Sequence, residues 1–343
     1  MTYLVRCLDI YLLSLSLTHI KKLSSVFSGI ISFGIGHTHT SLHPWRIMFL
    51  VLGGSSVLWS IFLFIFMPDS PVKCWYMSDR EKYICLERVK DNNTGVEDKK
   101  IKLYQIRECL LDPKAWLLTA FSLAQNIPNG GLITFSSIIV RGLGYSNLIT
   151  TLLGIPTGVV ATLWQLLISY IATRFTGRYR NARCAVIAVS NLVTLACAIL
   201  MWKLPRDNKH GLLAAYYVFY TYWGPFVIST SLPMANSSGH TKKLTLNSMY
   251  YLAYCVGNIV GPQLFRSSDA PIYSHGYEGL LACLVIAIAT IAAYGLVCHL
   301  ENRSRDREQH LEASQGVVDS VIDPVNAFSD LTDKEKRDFR YTF

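Results

Sequence analysis

Gly279-Leu280-Leu281-Ala282-Cys283-Leu284-Val285-Ile286-Ala287-Ile288-Ala289-Thr290-Ile291-Ala292-Ala293-Tyr294-Gly295-Leu296-Val297-Cys298 is a run of twenty residues without a single charge. A bilayer core of about 30 Å is crossed by about 20 such residues, each rising about 1.5 Å along a helix. Comparable runs recur near 47–67, 115–140, 146–172, 184–202, 211–233 and 244–265, and none of the seven contains Asp, Glu, Lys, Arg or His. An eighth, weaker run covers 23–42 and ends in His37, His39 and His43. Lipid offers backbone groups no hydrogen-bond partner, so only helices and closed barrels can span it, and runs this long without alternation are helices. The sequence therefore predicts an all-α polytopic membrane protein with seven or eight transmembrane helices.

Composition agrees. The 343 residues are 51% hydrophobic and 16% charged, with a net charge of +9, and the mean hydropathy is +0.30. A soluble domain carries about 25% charged residues, so this chain lacks the polar surface it would need in water. Disorder and collagen are excluded on the same grounds, and the basic charge is too diluted among apolar runs for a nucleic-acid-binding domain. The nine cysteines fall at no metal or redox spacing, so neither a disulfide framework nor a zinc site is expected. The three histidines have no carboxylate or thiol beside them, which argues against a metal site. No phosphate loop, dinucleotide fingerprint, nucleophile elbow or HExxH stretch occurs, and the spans supply no ionisable group, so neither an enzyme nor a cofactor is expected.

Lys and Arg set the orientation. If the spans alternate, 68–114, 173–183, 234–243 and the segment after 300 share one face and carry 23 of these residues, against six on the other. The short loops alone hold six on each side, so the orientation rests on charges close to span ends. The 23-residue side is expected to be cytoplasmic. Three sequons at Asn92, Asn236 and Asn302 fall on that face and should remain unglycosylated. The expected divisions are an atypical segment at 1–22, helices at 23–67, a central cytoplasmic loop at 68–114, a six-helix bundle at 115–299 and a cytoplasmic tail at 300–343. In 1–22 an apolar stretch at 7–17 follows Arg6, but Asp9 interrupts it and no small-residue cleavage site follows.

Polar residues inside apolar spans are the candidate site. In 244–265, Asn247, Tyr251, Tyr254 and Asn258 are spaced four, three and four, which puts them on one helical stripe. Such a stripe serves either as hydrogen-bonding glue between helices or as a solute-facing wall, and spacing does not separate the two. Gly257 and Gly261 beside it form a GxxxG pair suited to close helix packing. Asn126-Ile127-Pro128-Asn129-Gly130-Gly131 places two amides around a proline, which marks either an ordinary kink or a broken helix whose freed backbone groups meet a solute. Tyr216, Tyr220 and Trp223 share a face in 211–233, as a cavity lining or as an interfacial aromatic belt.

With these segments in view, the chain resembles the fungal allantoate permease family, anion:cation symporters of the major facilitator superfamily. The resemblance is carried by His43-Pro44-Trp45-Arg46, Met67-Pro68-Asp69-Ser70-Pro71, Met77-Ser78-Asp79-Arg80-Glu81, the 235–243 loop with Asn236, Gly239, His240, Lys242 and Lys243, and Gly257-Asn258-Ile259-Val260-Gly261-Pro262-Gln263-Leu264-Phe265. The turn Arg174-Phe175-Thr176-Gly177-Arg178-Tyr179-Arg180 looks like the superfamily's basic turn between helices eight and nine. The resemblance covers about 23–300 and implies twelve helices in two six-helix halves, with the solute near the midplane between them. It numbers 47–67 as helix six and 244–265 as helix eleven. The expectation is thus a partial facilitator fold, the end of a first half plus a whole second half, from a truncated or degenerate copy.

The resemblance also implies transport of small organic anions or amides, such as ureides or vitamin-like carboxylates, driven by protons, across the plasma membrane. The substrate wall it implies in this half is Asn126 and Asn129 from helix seven, Tyr220 and Trp223 from helix ten, and Asn247, Tyr251, Tyr254 and Asn258 from helix eleven. Gln165 on helix eight is the weaker member. Proton coupling needs a titratable group reachable from both sides, and the seven strong runs contain none. An alternative is a truncated membrane remnant that transports nothing; a seven-helix receptor is disfavoured by the long basic loop that splits the spans.

Overall fold

The computed structural model describes residues 30–35, 43–66, 77–82, 101–141, 144, 147–179, 182–205, 207–266, 269, 273–314, 330–336 and 339–343. Each strong apolar run is helical. Helical segments at 30–35 and 79–82 apart, the helices of the described residues are α1 (Pro44–Phe66), α2 (Leu103–Leu111), α3 (Pro113–Arg141), α4 (Asn147–Leu153), α5 (Ile155–Tyr179), α6 (Arg183–Lys203), α7 (Lys209–Phe219), α8 (Trp223–Ser229), α9 (Ser231–Ala235), α10 (His240–Val260) and α11 (Ser274–Ser314). Short 3-10 turns at Tyr220–Tyr222 and Gly261–Leu264 follow α7 and α10. No strand occurs among the described residues.

Among the described residues, four helical stretches are long and apolar enough to cross a membrane on length and composition: Trp45–Phe66, Ile155–Ala172, Arg183–Lys203 and Ser274–Leu311. The other runs miss that standard for physical reasons. The 211–233 run is divided by its 3-10 turn into short pieces, while α3 and α10 carry the amides and hydroxyls that make the interior of the bundle. Pro128 lies within α3, which stays helical from Pro113 to Arg141 rather than breaking at the amides.

Packing centres on α3, which lies against both α10 and α11. In turn α11 packs on α6, and α8 packs on α5 and α6. Two apolar clusters stack along the bundle. One joins Phe121, Ile187, Leu232, Ala287, Ile291 and Tyr294, and the other joins Ala198, Phe219, Tyr222, Tyr277, Leu280 and Leu284. Outward faces stay apolar as well: Leu163, Val189, Leu252, Ile259 and Leu296 are all exposed. Apolar residues inside and outside together are what a lipid solvent requires and what water would forbid. None of the apolar stretch of α1 is buried, which suits a span that faces lipid or further helices.

The last helix does not stop at the expected edge of the bundle near 299. It continues through the charged residues Glu301, Arg303, Arg305, Asp306, Arg307 and Glu308 to Ser314. Its 41 residues make about 60 Å of helix, twice the length needed to cross a bilayer core. Residues 330–336 and 339–343 lie against that charged part.

Candidate solute site and the helix contacts behind it

The glycines bring α10 and α3 into backbone contact. A Cβ on Gly257 would lie 2.9 Å from the Leu123 carbonyl oxygen, and one on Gly130 would lie 2.5 Å from the Asn258 carbonyl oxygen. At Gly261 the neighbours are again backbone: the Ile127 oxygen, Gly131 N and Gly130 Cα. Any side chain there would drive the helices apart.

That approach sets two of the candidate amides face to face. Asn129 donates to Asn258 Oδ1 at 2.7 Å, and the Tyr222 hydroxyl donates to Asn129 Oδ1 at 2.5 Å. Asn258 donates to the Tyr254 carbonyl at 2.8 Å, and Asn126 donates to the Ser122 carbonyl at 2.7 Å. Helices seven, ten and eleven of the resemblance are therefore tied by one buried chain of bonds. A second layer escaped the sequence reading. Gln125 donates to the Tyr222 carbonyl at 2.9 Å and exchanges amide bonds with Asn191 of α6 at 3.0 and 3.2 Å. Thr194 and Thr221 bond at 3.1 Å beside it. Its signal was present: Gln125 lies four residues before Asn129, on the same face of α3.

Gln165 behaves differently. Its side chain on α5 is 1% exposed, and neither its Oε1 nor its Nε2 has a hydrogen-bond partner. An unsatisfied buried amide costs about 1–3 kcal/mol, so the resting structure holds it at a loss. The neighbouring Trp164 is satisfied, donating to Ser190 Oγ at 2.8 Å. The member ranked last from sequence has both of its polar atoms buried and without a hydrogen-bond partner.

The aromatic candidates form a continuous wall from α8 to α10. Trp223 lies 5.6 Å from Tyr222 and 5.8 Å from Phe226, whose ring stacks on Tyr254 at 5.5 Å. Tyr251 continues the row at 5.9 Å from Tyr254 but is 65% exposed. Tyr220 sits one turn away, its ring edge-on to Tyr216 at 5.4 Å and the two hydroxyls 3.3 Å apart. Phe226 was missed from sequence, although its spacing from Trp223 and Tyr222 put it on their face. Asn247 lies apart, near the start of α10, donating to the Lys243 carbonyl at 3.0 Å. The four-residue stripe is thus divided among a local bond at Asn247, an outward ring at Tyr251, a stacked ring at Tyr254 and an interhelical amide at Asn258.

Charged side chains gather instead at the end of the bundle that carries the basic loops. There Lys242 meets Glu108, Asp112 and Asp333 at 2.8, 3.4 and 2.7 Å. Burial alone would lower the Lys242 pKa, but the three carboxylates outweigh it and raise it. Two of the sequon asparagines are engaged at this end: Asn236 donates to the Tyr294 hydroxyl and Asn302 to the Tyr341 carbonyl.

A bundle whose buried ion pairs gather at one end and whose interior holds paired amides suits a helical solute carrier, and sequence comparison agrees. The family model described as Major Facilitator Superfamily matches residues 22–262. The chain belongs to the major facilitator superfamily. It is an integral, multi-pass membrane protein of that superfamily. An MFS-type transporter of Penicillium expansum is 38% identical over 94% of this chain and 64% of its own length. The allantoate permease of Saccharomyces cerevisiae is 32% identical over 93% of this chain and 59% of its own. A thiamine pathway transporter of the same yeast is 31% identical, with 93% and 58% covered. This superfamily member therefore spans about three fifths of the length of those relatives.

Proposed function

We propose that this superfamily member carries small organic anions or amides across the plasma membrane, in the manner of the allantoate permease family, with protons as the driving ion. The supporting observation is Gln165, buried and with both ends of its amide unpaired. A carboxamide or ureido group presents one acceptor and one donor side by side and would satisfy both ends at once. A carboxylate would take the N–H group alone. Trp223, Tyr220 and Tyr254 supply the flat apolar surfaces against which a small planar solute would lie, while Asn129 and Asn258 hold the helices that carry them and Asn126 bonds within its own helix. Tyr251 and Asn247 lie at the margin of that wall. The relatives' names favour the same class of solute: one is an allantoate permease and another a thiamine pathway transporter. The coupling proton would be carried by a residue outside the seven apolar runs, since none of them has a titratable carboxylate, base or histidine.

The test is a thermal-shift screen of the full chain in lipid nanodiscs against allantoate, other ureides, small carboxylates, primary amides, hexoses and amino acids. Ligands that bind only the folded state raise its melting temperature by mass action. Stabilisation by ureides, amides or carboxylates, without stabilisation by hexoses, is expected. Stabilisation by hexoses alone, or by none of the panel, would overturn the proposal.

A further inference from the structure

Residues 330–343 form neither helix nor strand in their described parts, yet Asp333 and Tyr341 are 0% and 1% exposed. The segment lies across the ends of α2, α3, α10 and α11, and its Phe343 carbonyl also accepts the Arg183 N–H at the start of α6 at 3.2 Å. Asp333 pairs with Lys242 in the first turn of α10 at 2.7 Å, and Asp330 pairs with Lys102 just before α2 at 2.7 Å. The Tyr341 hydroxyl donates to Asp333 at 2.7 Å. The Tyr341 ring sits 3.7 Å from the Lys114 ammonium of α3 and 4.9 Å from the Arg305 guanidinium of α11. Arg305 also donates to the carbonyls of Asp333 and Phe339 at 3.0 and 2.8 Å.

The start of α10 is capped from outside its own chain segment, by Gln105 of α2, which accepts the Lys242 N–H at 3.2 Å, and by residues of this segment. Its N-cap is Gly239, at φ 87°, which has no side chain to cap the helix. The first N–H of the helix, on His240, donates to Asp330 Oδ1 at 2.5 Å, and the Ser238 hydroxyl donates to the Leu331 carbonyl at 2.8 Å. A cap normally supplied by the helix's own chain is supplied here from some ninety residues away.

Detachment would leave no lone charge buried in the bundle. Lys242 would keep Glu108 at 2.8 Å and Asp112 at 3.4 Å, and Lys114 would keep Glu301 at 2.5 Å. Buried ion pairs fix one geometry but add little net stability, because desolvation offsets their attraction. The ion pairs therefore set where the segment docks, while Tyr341, with Phe339 and Phe343 packed beside it, adds apolar contact with the bundle.

We propose that residues 330–343 are a detachable strap that, when docked, caps α10 and locks the ends of α2, α3, α10 and α11 together, and when released frees the 236–243 corner to move. Carriers of this architecture work by rocking and gating one bundle against another. A strap at one end of the bundle would bias which arrangement is held.

The test is hydrogen exchange by mass spectrometry on the full chain in nanodiscs. The wild type is compared with Asp333→Asn/Tyr341→Phe and with a variant whose residues 330–343 are replaced by Gly and Ser. In both variants, exchange across 238–243 and 103–109 is expected to accelerate about five- to tenfold, as for loss of a helix cap, while 187–201 in α6 is unchanged. A synthetic 330–343 peptide should restore protection to the Gly/Ser variant, and the same peptide with Asp333→Asn should not. Unchanged exchange at 238–243 would show that the segment locks nothing. Faster exchange throughout α6, or failure of the wild-type peptide to restore protection, would show a fixed part of the fold rather than a strap.

Discussion

Gly261→Ala adds one methyl group at the tightest point of the bundle. The new Cβ would press on the Ile127 carbonyl oxygen, with Gly131 N at 2.6 Å and Gly130 Cα at 3.0 Å. All three neighbours are backbone, so no rotamer change relieves them. To recover ordinary contacts of about 3.5–4.0 Å, α10 and α3 must part by about 1 Å. Overpacking of this kind costs about 1–3 kcal/mol. The same movement stretches the 2.7 Å bond between Asn129 and Asn258, and an interhelical bond in a membrane is worth about 0.6 kcal/mol and at most about 1.7. The combined loss is about 2–4 kcal/mol. Gly54→Ala on α1 is the matched control, because nothing lies within 4 Å of its Cβ position. There the better helix propensity of alanine should be neutral or stabilising by up to about 1 kcal/mol. Unfolding by SDS titration in bicelles, followed by circular dichroism, reads both. If Gly261→Ala unfolds within about 0.5 kcal/mol of the wild type, the backbone contact between α3 and α10 is not where the structure puts it.

A double-mutant cycle on Asn129→Ala and Asn258→Ala, read by the same titration, should give a coupling energy of about 0.6–1.7 kcal/mol. A coupling near zero would separate the two amides. The strap should also respond to acid. Burial raises the Asp333 pKa, but Lys242 and the Tyr341 hydroxyl outweigh it and hold the carboxyl below its ordinary value of 3.8. Lys114 also faces it, while Glu108 and Asp112 share Lys242. A depressed carboxyl stabilises the docked form above its free pKa and loses that contribution as pH falls through the docked one. Electron-electron distances between spin labels at Glu335 and His310, both exposed, should thus stay single and short down to about pH 5 and broaden only below the ordinary aspartate range. Broadening between neutrality and pH 5 would assign the docking to another group.

The spans were legible because lipid allows a long uncharged run only one solution, and each of the seven runs became helix. Pairing between helices was less legible. Asn129 and Asn258 were visible as amides in apolar surroundings, but spacing within one helix cannot say which residue on another it meets. Their bond depends on Gly130, Gly257 and Gly261 being close across the interface. The GxxxG pair hinted at that, and Gln125 shared the face of Asn129, while Asn191 carried no comparable mark. Gln165 ranked low because a lone glutamine in an apolar run looks the same whether its amide is paired or not. The strap was hidden for the opposite reason. Asp330, Asp333, Lys334, Glu335 and Lys336 read as part of a cytoplasmic tail. Charged residues were buried because the ends of α2, α3, α10 and α11 already carried their counterions.

The most direct measurement is Gln165→Leu in nanodiscs, scored at once for melting temperature and for equilibrium binding of the labelled solute that stabilises the wild type best. Leucine removes an amide that has no partner in the resting structure. The resting protein should become more stable, by up to about 1–3 kcal/mol, while the solute loses its donor and acceptor and binds at least about tenfold more weakly. Gains in stability with loss of binding are the signature of a polar group kept for a ligand. A Gln165→Leu protein that is less stable than the wild type and binds the solute equally well would contradict the assignment of Gln165 to the solute site.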